Sequence, residues 1–417
     1  MSDRAAVTSE ETTDKQDAYA NFDASADHDA ESETEAGIAP STTGWEWTQD
    51  ELIAEIRESF ALIEPHGPAA AAWFYDHFLG ANPRYRKYFS DEPAIQHRRL
   101  FQAVQRIVSD LDRLEVFLPY LRRLALRHRK FGLRAAHYQA FGASLMATVA
   151  NFCGERCTER TIAAWETGYG LVATVMLEAV ADADSVAPPY WEAEIIAHEA
   201  LTGDIARIVA RPLEDTRLPS AYQFRAGQYA AVETAALPRV WRDFSFAGQP
   251  GNEEIEFHVQ LGRAGGVSEV LVRQTAVGDH LRVAEAEGEL AFPDPDRVAR
   301  LLAVAHGTGA APVYALVADA IAEGDRRPLT VLLVSDGGPH YLAEAFRALA
   351  DKHGELTIEE IVDDLAAAVV QTHNAATGPG GGCGAVLVGP SAMVDECRSA
   401  LLTAGVAAEG ISSDLFD

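Results

Sequence analysis

The stretch LRRLALRHRKF, from Leu121 to Phe131, decides how the first half of this chain is interpreted. Its apolar residues follow a helical pattern, and we expect Leu121, Leu124 and Leu126 to line an apolar wall. His128 ends this predicted helix. A neutral imidazole that faces an apolar pocket is well suited to ligate a metal ion.

Residues before and after His128 give this pocket its chemistry. Tyr75 in WFYDHF, Phe89 in RKYFS and Gln96 in IQHRRLF precede the histidine, and Tyr138 follows it by ten residues. A five-coordinate haem needs one imidazole on the iron, apolar walls and a few polar groups on the open face. A tyrosine, an aromatic clamp and a glutamine around one helical histidine meet these needs, so we expect a haem pocket here.

Residues 44–187 predict packed helices. TQDE, from Thr48 to Glu51, is a capping-box signature, and Pro65 ends the helix that follows it. Three further helices are expected to begin near Gly67-Pro68, near Asn82-Pro83 and after Pro93. Three later helices are expected to cover about 113–128, 134–152 and 159–181. Helices in this number, joined by short connections, are typical of an all-α domain that encloses a cofactor.

The pattern changes after Pro188-Pro189. DIARIVARPLE, FRAGQYAAVET and EIEFHVQLG predict short antiparallel strands, so we expect a small barrel over about 190–298. The strand LLAVA, the glycine-rich turn after it, the helix VYALVADAIAEG and the strands LTVLLVSD and AVLVGPS then predict a doubly wound parallel sheet over 299–417. We expect ATGPGGGCG, from Ala376 to Gly384, to be a flexible loop.

Composition excludes several classes of protein. A net charge of -29 and a pI near 4.8 argue against binding to nucleic acid or to an anionic membrane. Residues 1–43 hold eleven Asp and Glu against Arg4 and Lys15, which predicts a disordered acidic tail. The chain has no long apolar run and no secretory signal, so we expect a cytoplasmic protein with no membrane span. Its four cysteines are too scattered for a disulfide framework, so we expect reduced thiols. We also expect a monomer.

The order and residue types of GPAAAAWFYDHFLGANPRYRKYFS, QHRRLF, LRHRKF and AHYQAFGASLMATV resemble the globin domain of the flavohaemoglobins. The resemblance implies that His128 is the proximal ligand of haem b and that Tyr75 and Gln96 form the distal pair. It also implies that Phe89 stacks on the porphyrin and that Leu100 forms the apolar distal wall. A phenol beside the iron can donate to bound oxygen that carries partial negative charge.

On the proximal side, the resemblance implies a hydrogen bond from Tyr138 toward His128, which would make the imidazole more basic. The family completes this relay with a glutamate, but Val180 stands at that position and Glu178 lies two residues earlier, on the opposite helix face. Arg127 replaces a lysine of the family. It either pairs with a haem propionate or is a solvated surface residue.

The segment from about 190 onward resembles the ferredoxin-reductase-type FAD module. RDFS stands where that module has Arg-x-Tyr-Ser, so all four residues, with Asp243 at the variable position, are expected to be cofactor-binding. The resemblance implies that Arg242 meets the pyrophosphate, that Phe244 covers the isoalloxazine and that Ser245 reaches the flavin N5 edge, with Tyr229 as the other ring contact. Loss of the tyrosine hydroxyl at Phe244 is expected to weaken FAD binding or to shift its potential. Backbone N–H groups for the second phosphate are expected from Gly265, Gly266, Val267 and Ser268.

The resemblance extends to a nicotinamide site. Its loop is Gly307, Thr308, Gly309, Ala310, Ala311 and Pro312, which follows a strand and opens a helix. Val388, Gly389 and Pro390 stand where the family has Cys-Gly-Pro, and Phe416 is placed to cover the flavin. Asp336 ends the second strand and favours NADH over NADPH, because it would repel a 2′-phosphate. Asp336 could instead cap a turn, and Arg326 and Arg327 could fold toward the site.

Taken together, the resemblance implies a globin domain at 44–187, an FAD-binding barrel at 190–298 and an NAD(P)H-binding domain at 299–417. It implies an NAD(P)H-dependent nitric oxide dioxygenase, in which electrons pass from nicotinamide through FAD to haem and NO and O₂ become nitrate. Two alternatives stay open. One is a haem-based oxygen or redox sensor or carrier with a degenerate reductase, and the other is an NAD(P)H-dependent quinone or ferric reductase.

Overall fold

The computed structural model describes residues 45–89, 93–213, 221–251, 253–362, 364–376 and 382–416. The acidic segment 1–43 and most of the loop from Ala376 to Gly384 lie outside these residues. The chain separates into two compact units between Pro189 and Tyr190. No helix in the described ranges is long and apolar enough to cross a lipid bilayer.

The first unit is helical. Its α-helices are α1 (Gln49–Ile63), α2 (Gly67–Ala81), α3 (Pro93–Asp110), α4 (Leu114–Arg129), α5 (Ala135–Cys153) and α6 (Glu159–Asp184), with 3-10 turns at Glu64–His66, Pro83–Tyr88 and Gly154–Arg156. The capping box predicted at Thr48 forms, since Glu51 N donates to Thr48 Oγ1 and Thr48 N donates to Glu51 Oε2. The predicted all-α domain is confirmed.

Two apolar clusters of this unit matter for the site. One joins α4 to α5 and α6 through Leu121, Ala125, Tyr138 and Ala173. The other is mostly aromatic and is built from α2, the 3-10 turn after it, α3 and α5. The prediction for Leu126 was wrong, because its side chain is 38% exposed. Two residues turn a helix by about 200°, so Leu126 lies away from the face that carries Leu124.

The second unit begins with a six-stranded antiparallel sheet. Its strands are β1 (Tyr190–Ala200), β2 (Ile205–Pro212), β3 (Tyr229–Thr234), β4 (Arg242–Ser245), β5 (Ile255–Gln260) and β6 (His280–Ala284), in the order β4-β3-β6-β1-β2-β5, and the short helix α7 (Val267–Arg273) follows β5. An antiparallel bridge between Phe246 and Phe257 joins the two outer strands. The sheet therefore closes almost completely into the predicted barrel.

The rest of the second unit is a five-stranded parallel sheet in the order β11-β10-β7-β8-β9. Its elements are β7 (Arg300–His306), α8 (Ala310–Ala322), β8 (Leu329–Val334), α9 (Ala343–Ala350), β9 (Leu356–Ile361), α10 (Leu365–Ala376), β10 (Cys383–Gly389), α11 (Ser391–Thr403) and β11 (Ile411–Leu415). Consecutive residues of β7 pack into different hydrophobic cores: Ala303 belongs to one core and Val304 to the other. Both faces of the sheet are therefore buried. The doubly wound prediction is confirmed.

The strand order determines where ligands can bind in this sheet. The chain leaves β7 to form β8 on one side and later returns to form β10 on the other. In open parallel sheets, ligands bind outside the carboxyl ends of the strands at such a switch point. Gly307 follows β7 and Pro390 follows β10, so the predicted nicotinamide residues meet there.

Candidate functional site

His128 lies in the last turn of α4 with its imidazole oriented by the backbone. Its Nδ1 is 2.7 Å from the Leu124 carbonyl oxygen, which can only accept, so Nδ1 carries the proton. Burial lowers the pKa of His128 below its ordinary value and keeps the ring neutral. In the part of the chain that the structure describes, no hydrogen-bond partner occupies Nε2. A neutral imidazole with Nε2 available and Nδ1–H bound to a carbonyl fits a haem ligand.

Three of the residues expected on the distal side lie in one cluster. Tyr75, Phe89 and Leu100 pack together, and the Tyr75 and Phe89 rings meet edge to face at 5.4 Å between centroids. Burial raises the pKa of Tyr75 to about 12, so its hydroxyl keeps its proton at neutral pH. None of the described residues hydrogen-bonds to this hydroxyl. Tyr75 is therefore a hydrogen-bond donor that the described residues leave available.

The flavin side depends on how β3 and β4 pair. Tyr229 lies opposite Ser245 in the antiparallel register, so both side chains point to the same face. Gly227 precedes Tyr229 with φ of 83°, and a Cβ there would lie 2.1 Å from the Leu290 carbonyl oxygen, so this turn accepts only glycine. The glycine of the GQY motif therefore allows the tight turn that leads into β3 and places Tyr229 at its start.

Arg242 is exposed at the start of β4, and its guanidinium donates to the Trp241 carbonyl oxygen at 2.9 Å. Within the described ranges it has no ion pair, so its charge is available to a phosphate. Phe244 is half-buried and meets Phe257 of the barrel core edge to face at 6.3 Å. Part of its ring remains accessible for the stacking expected of it.

The loop before α7 offers fewer phosphate contacts than expected. The Gly265 N–H donates to Glu269 Oε2 and the Gly266 N–H donates to the Arg263 carbonyl oxygen. The Val267 and Ser268 N–H groups open the helix, where intrahelical acceptors are missing. These two are the N–H groups left for a phosphate.

The nicotinamide loop packs tightly against β10 and the C-terminal segment. A Cβ on Gly309 would lie 2.8 Å from the Val388 carbonyl oxygen and 3.1 Å from Cε1 of Phe416. Phe416 itself donates from its backbone to the Gly389 carbonyl oxygen at 3.2 Å. Ala310, Ala311 and Pro312 are buried, so their side chains pack α8 onto the sheet. The structure thus brings the motif, Val388 to Pro390 and Phe416 to one place.

The end of β11 lies beside the flavin strand. Burial raises the pKa of the Asp414 carboxyl above its usual range, and the negative charge of Asp243 adds to this shift. The two carboxyls are therefore close enough to repel each other. Asp243, which was expected among the cofactor-binding residues, shares the β4 face with Ser245 and interacts with Asp414 in the segment that carries Phe416.

Asp336 lies just beyond the carboxyl end of β8, and its side chain is 93% exposed. Its carboxylate is 3.1 Å from Nε2 of His306, the last residue of β7, rather than in a turn cap. Arg327 precedes β8 at the opposite edge of the sheet, where it pairs with Asp325. Arg327 therefore does not fold toward the site, while Asp336 remains at the place where a ribose is expected.

Comparisons with known proteins agree with this arrangement. A globin family profile matches residues 72–176. The flavohemoprotein of Chromobacterium violaceum is 26% identical over 324 residues, which cover 73% of this chain and 79% of that protein. A solved flavohemoglobin of Malassezia yamatoensis with bound FAD and haem has a TM-score of 0.72 at 19% identity, and the match covers 89% of this chain and 99% of that one. The chain is thus similar to the flavohaemoglobins in sequence and in fold.

This flavohaemoglobin-like chain departs from expectation on the proximal side. The hydrogen bond expected from Tyr138 to His128 is not formed, because the Nδ1 proton of His128 goes to the Leu124 carbonyl. The Tyr138 hydroxyl is buried without a partner among the described residues, and burial raises its pKa to about 12. Val180 packs in the same apolar cluster, while Glu178 is exposed. The carboxylate of the family's relay therefore has no counterpart in this cluster.

Arg127 precedes His128 and is exposed, which is compatible with either role considered for it. Gln96 is half-buried one turn before Leu100 on α3. The sequence interpretation overlooked His97, whose ring stacks on Tyr75 at 5.1 Å between centroids with an interplanar angle of 23°. The predicted distal residue Gln96, which precedes it, was the sequence feature that pointed to this part of α3. Which of two adjacent helical residues faces Tyr75 depends on the packing of α3 against α2, which the sequence alone does not give.

Proposed function

We propose that this chain is a nitric oxide dioxygenase that takes electrons from NADH. The observation that carries the proposal is the environment of His128 in a helical unit that the same chain joins to a flavin and nicotinamide module. A neutral, backbone-oriented imidazole with Nε2 available fits haem, and the aromatic cluster around Tyr75 supplies the apolar wall and the hydrogen-bond donor. The solved relative with bound FAD and haem, and the fold it shares with this chain, support the same cofactors here.

Bound haem supplies one-electron and O₂ chemistry, and bound FAD turns a hydride into single electrons. The protein residues bind and orient. His128 would hold the haem iron through Nε2, and the Tyr75 hydroxyl would donate a hydrogen bond to a bound oxygen ligand. Arg242 offers an uncompensated positive charge to the FAD pyrophosphate. Phe416 packs over Gly309 of the nicotinamide loop, where its ring would cover the flavin.

The purified protein, supplied with NADH in air-saturated buffer, is expected to consume NO and to release nitrate. An NO electrode together with nitrate analysis measures both, and the same sample without NADH is the control. An oxygen sensor or carrier would show no sustained NADH-driven loss of NO. A quinone or ferric reductase would oxidise NADH with those acceptors and leave NO unchanged. Either result would overturn the proposal.

A separate prediction concerns the electron donor. We expect the protein to prefer NADH, because the Asp336 carboxylate can accept from a ribose hydroxyl and would repel a 2′-phosphate. Asp336→Ser should lower kcat/KM for NADH roughly 10- to 150-fold, the range for losing one hydrogen bond to a charged group, and should affect NADPH much less. The measurement is kcat/KM for both donors.

Asp351→Ser, which removes an exposed acid just after α9, is the matched control and should leave both donors unchanged. Equal kcat/KM values for NADH and NADPH in the unmodified protein would show that Asp336 does not select the electron donor.

A further inference from the structure

Partly buried hydrogen bonds and one ring contact join the barrel to the nicotinamide loop. On β5, Glu256 Oε1 accepts from His258 Nε2 at 3.0 Å, and His258 Nδ1 lies 3.0 Å from the Tyr341 hydroxyl. Tyr341 follows β8, and its ring contacts that of His340 at 4.9 Å between centroids. His340 Nε2 then lies 3.0 Å from the Gly307 carbonyl oxygen. The motif analysis assigned no role to these histidines or to Tyr341.

The direction of each bond in this link is set by its partners. The Leu342 N–H donates to His340 Nδ1 at 3.2 Å, so Nε2 carries the proton and donates to Gly307. Burial lowers the pKa of His340, which agrees with a neutral ring. Burial raises the pKa of Glu256, but hydrogen bonds from His258 and Arg207 bring it to about 2. Glu256 is thus ionised and fixes the tautomer of His258.

The hydrogen bonds to the Gly307 carbonyl determine which way the Gly307–Thr308 peptide points. The Gly307 carbonyl and the Thr308 N–H belong to one planar trans peptide, so they point in opposite directions. His340 Nε2 and the Ala310 N–H both donate to this carbonyl, so the Thr308 N–H is directed to the other side of the loop. Among the described residues, no acceptor is bound to that N–H. Gly307 has φ of 53°, and glycine is the residue that most readily allows its peptide to flip.

We propose that His340 is a positioning residue of the nicotinamide site, which holds the Gly307–Thr308 peptide so that the Thr308 N–H faces the dinucleotide phosphate. Tyr341 and His258 hold His340 against the barrel. The inference rests on the proposed use of a nicotinamide donor. The His340 imidazole adds a side-chain donor to the Ala310 N–H, which closes the 3-10 turn at Gly307–Gly309 on the same carbonyl.

Two substitutions test the hydrogen bonds of the two His340 ring nitrogens separately. His340→Asn keeps an acceptor near the Leu342 N–H and loses the donor to Gly307, whereas His340→Gln keeps a donor at the position of Nε2. We expect His340→Asn to raise the Kd for NADH, measured by calorimetry on the full chain, roughly 3- to 10-fold, the range for one neutral hydrogen bond. His340→Gln should restore most of the affinity. With ferricyanide as acceptor, KM for NADH should rise in His340→Asn while kcat stays near that of the unmodified protein.

Equal Kd values for His340→Asn and the unmodified protein would overturn the inference while leaving the proposed function intact. An unmodified protein that binds neither NADH nor NADPH would overturn the proposed function as well. A measurement that needs no variant is hydrogen exchange at the Thr308 amide, which should slow about tenfold or more when NADH binds, as expected when a solvent-accessible N–H gains a partner. Unchanged exchange at Thr308 would also overturn the inference.

Discussion

Replacement of His128 by alanine is expected to abolish the Soret band of the purified protein while its flavin absorption remains. The imidazole is the group whose Nδ1–H is fixed on the Leu124 carbonyl and whose Nε2 has no partner among the described residues, so it is the group placed to hold the iron. Without it, the pocket keeps its apolar walls but loses the imidazole that coordinates the haem iron. The absorption spectrum, with flavin as an internal standard, gives the ratio of haem to protein.

The matched control is His77→Ala. His77 is an exposed histidine on α2 whose Nδ1 pairs with the Ser144 hydroxyl at 3.1 Å, and its loss should leave the haem content unchanged. His128→Gly with added imidazole should recover the Soret band, because free imidazole can occupy the vacated space. An unchanged spectrum in His128→Ala would show that haem is held elsewhere, and the assignment of the pocket would fail with it.

How far the sequence predicted this molecule depended on whether the signal was local. The helix start at Thr48, the predicted run of 134–152 that became Ala135–Cys153, and the glycine-rich turn after β7 were all found, because caps, periodicity and turn glycines act within a few residues. The position of Asp336 also followed from local order, since the carboxyl ends of parallel strands share one edge.

Contacts between distant segments were not predictable in the same way. His258 and Tyr341 are 83 residues apart and meet only because β5 of the barrel lies beside the loop after β8. The expected bond between Tyr138 on α5 and His128 on α4 is missing because the Leu124 carbonyl, one turn before His128 on α4, accepts the Nδ1 proton. A sequence motif can indicate which residues belong to a site, but their hydrogen-bond partners depend on which groups the fold brings close together.

Replacement of Tyr75 by phenylalanine is expected to accelerate the loss of bound O₂ roughly 10- to 150-fold, since a hydrogen bond to a charged acceptor contributes about 1.5–3 kcal/mol. The substitution keeps the ring that packs on Phe89 and His97 and removes only the hydroxyl. Because that hydroxyl has no partner among the described residues, its loss leaves no protein group unsatisfied, and the melting temperature should hardly change. The measurement is the O₂ dissociation rate of the reduced protein by stopped flow.

The control is Tyr85→Phe. Tyr85 lies in the same aromatic cluster, but its hydroxyl accepts from Arg84 at 3.1 Å, so its removal should leave O₂ dissociation unchanged. Since burial raises the pKa of Tyr75 to about 12, the phenol stays protonated well above neutral pH, and the difference between Tyr75→Phe and the unmodified protein should be constant from about pH 6 to pH 9. A difference that disappeared in that range would mean that another group donates the hydrogen bond. Equal acceleration by both substitutions would mean that ring packing, and not the Tyr75 hydroxyl, retains oxygen.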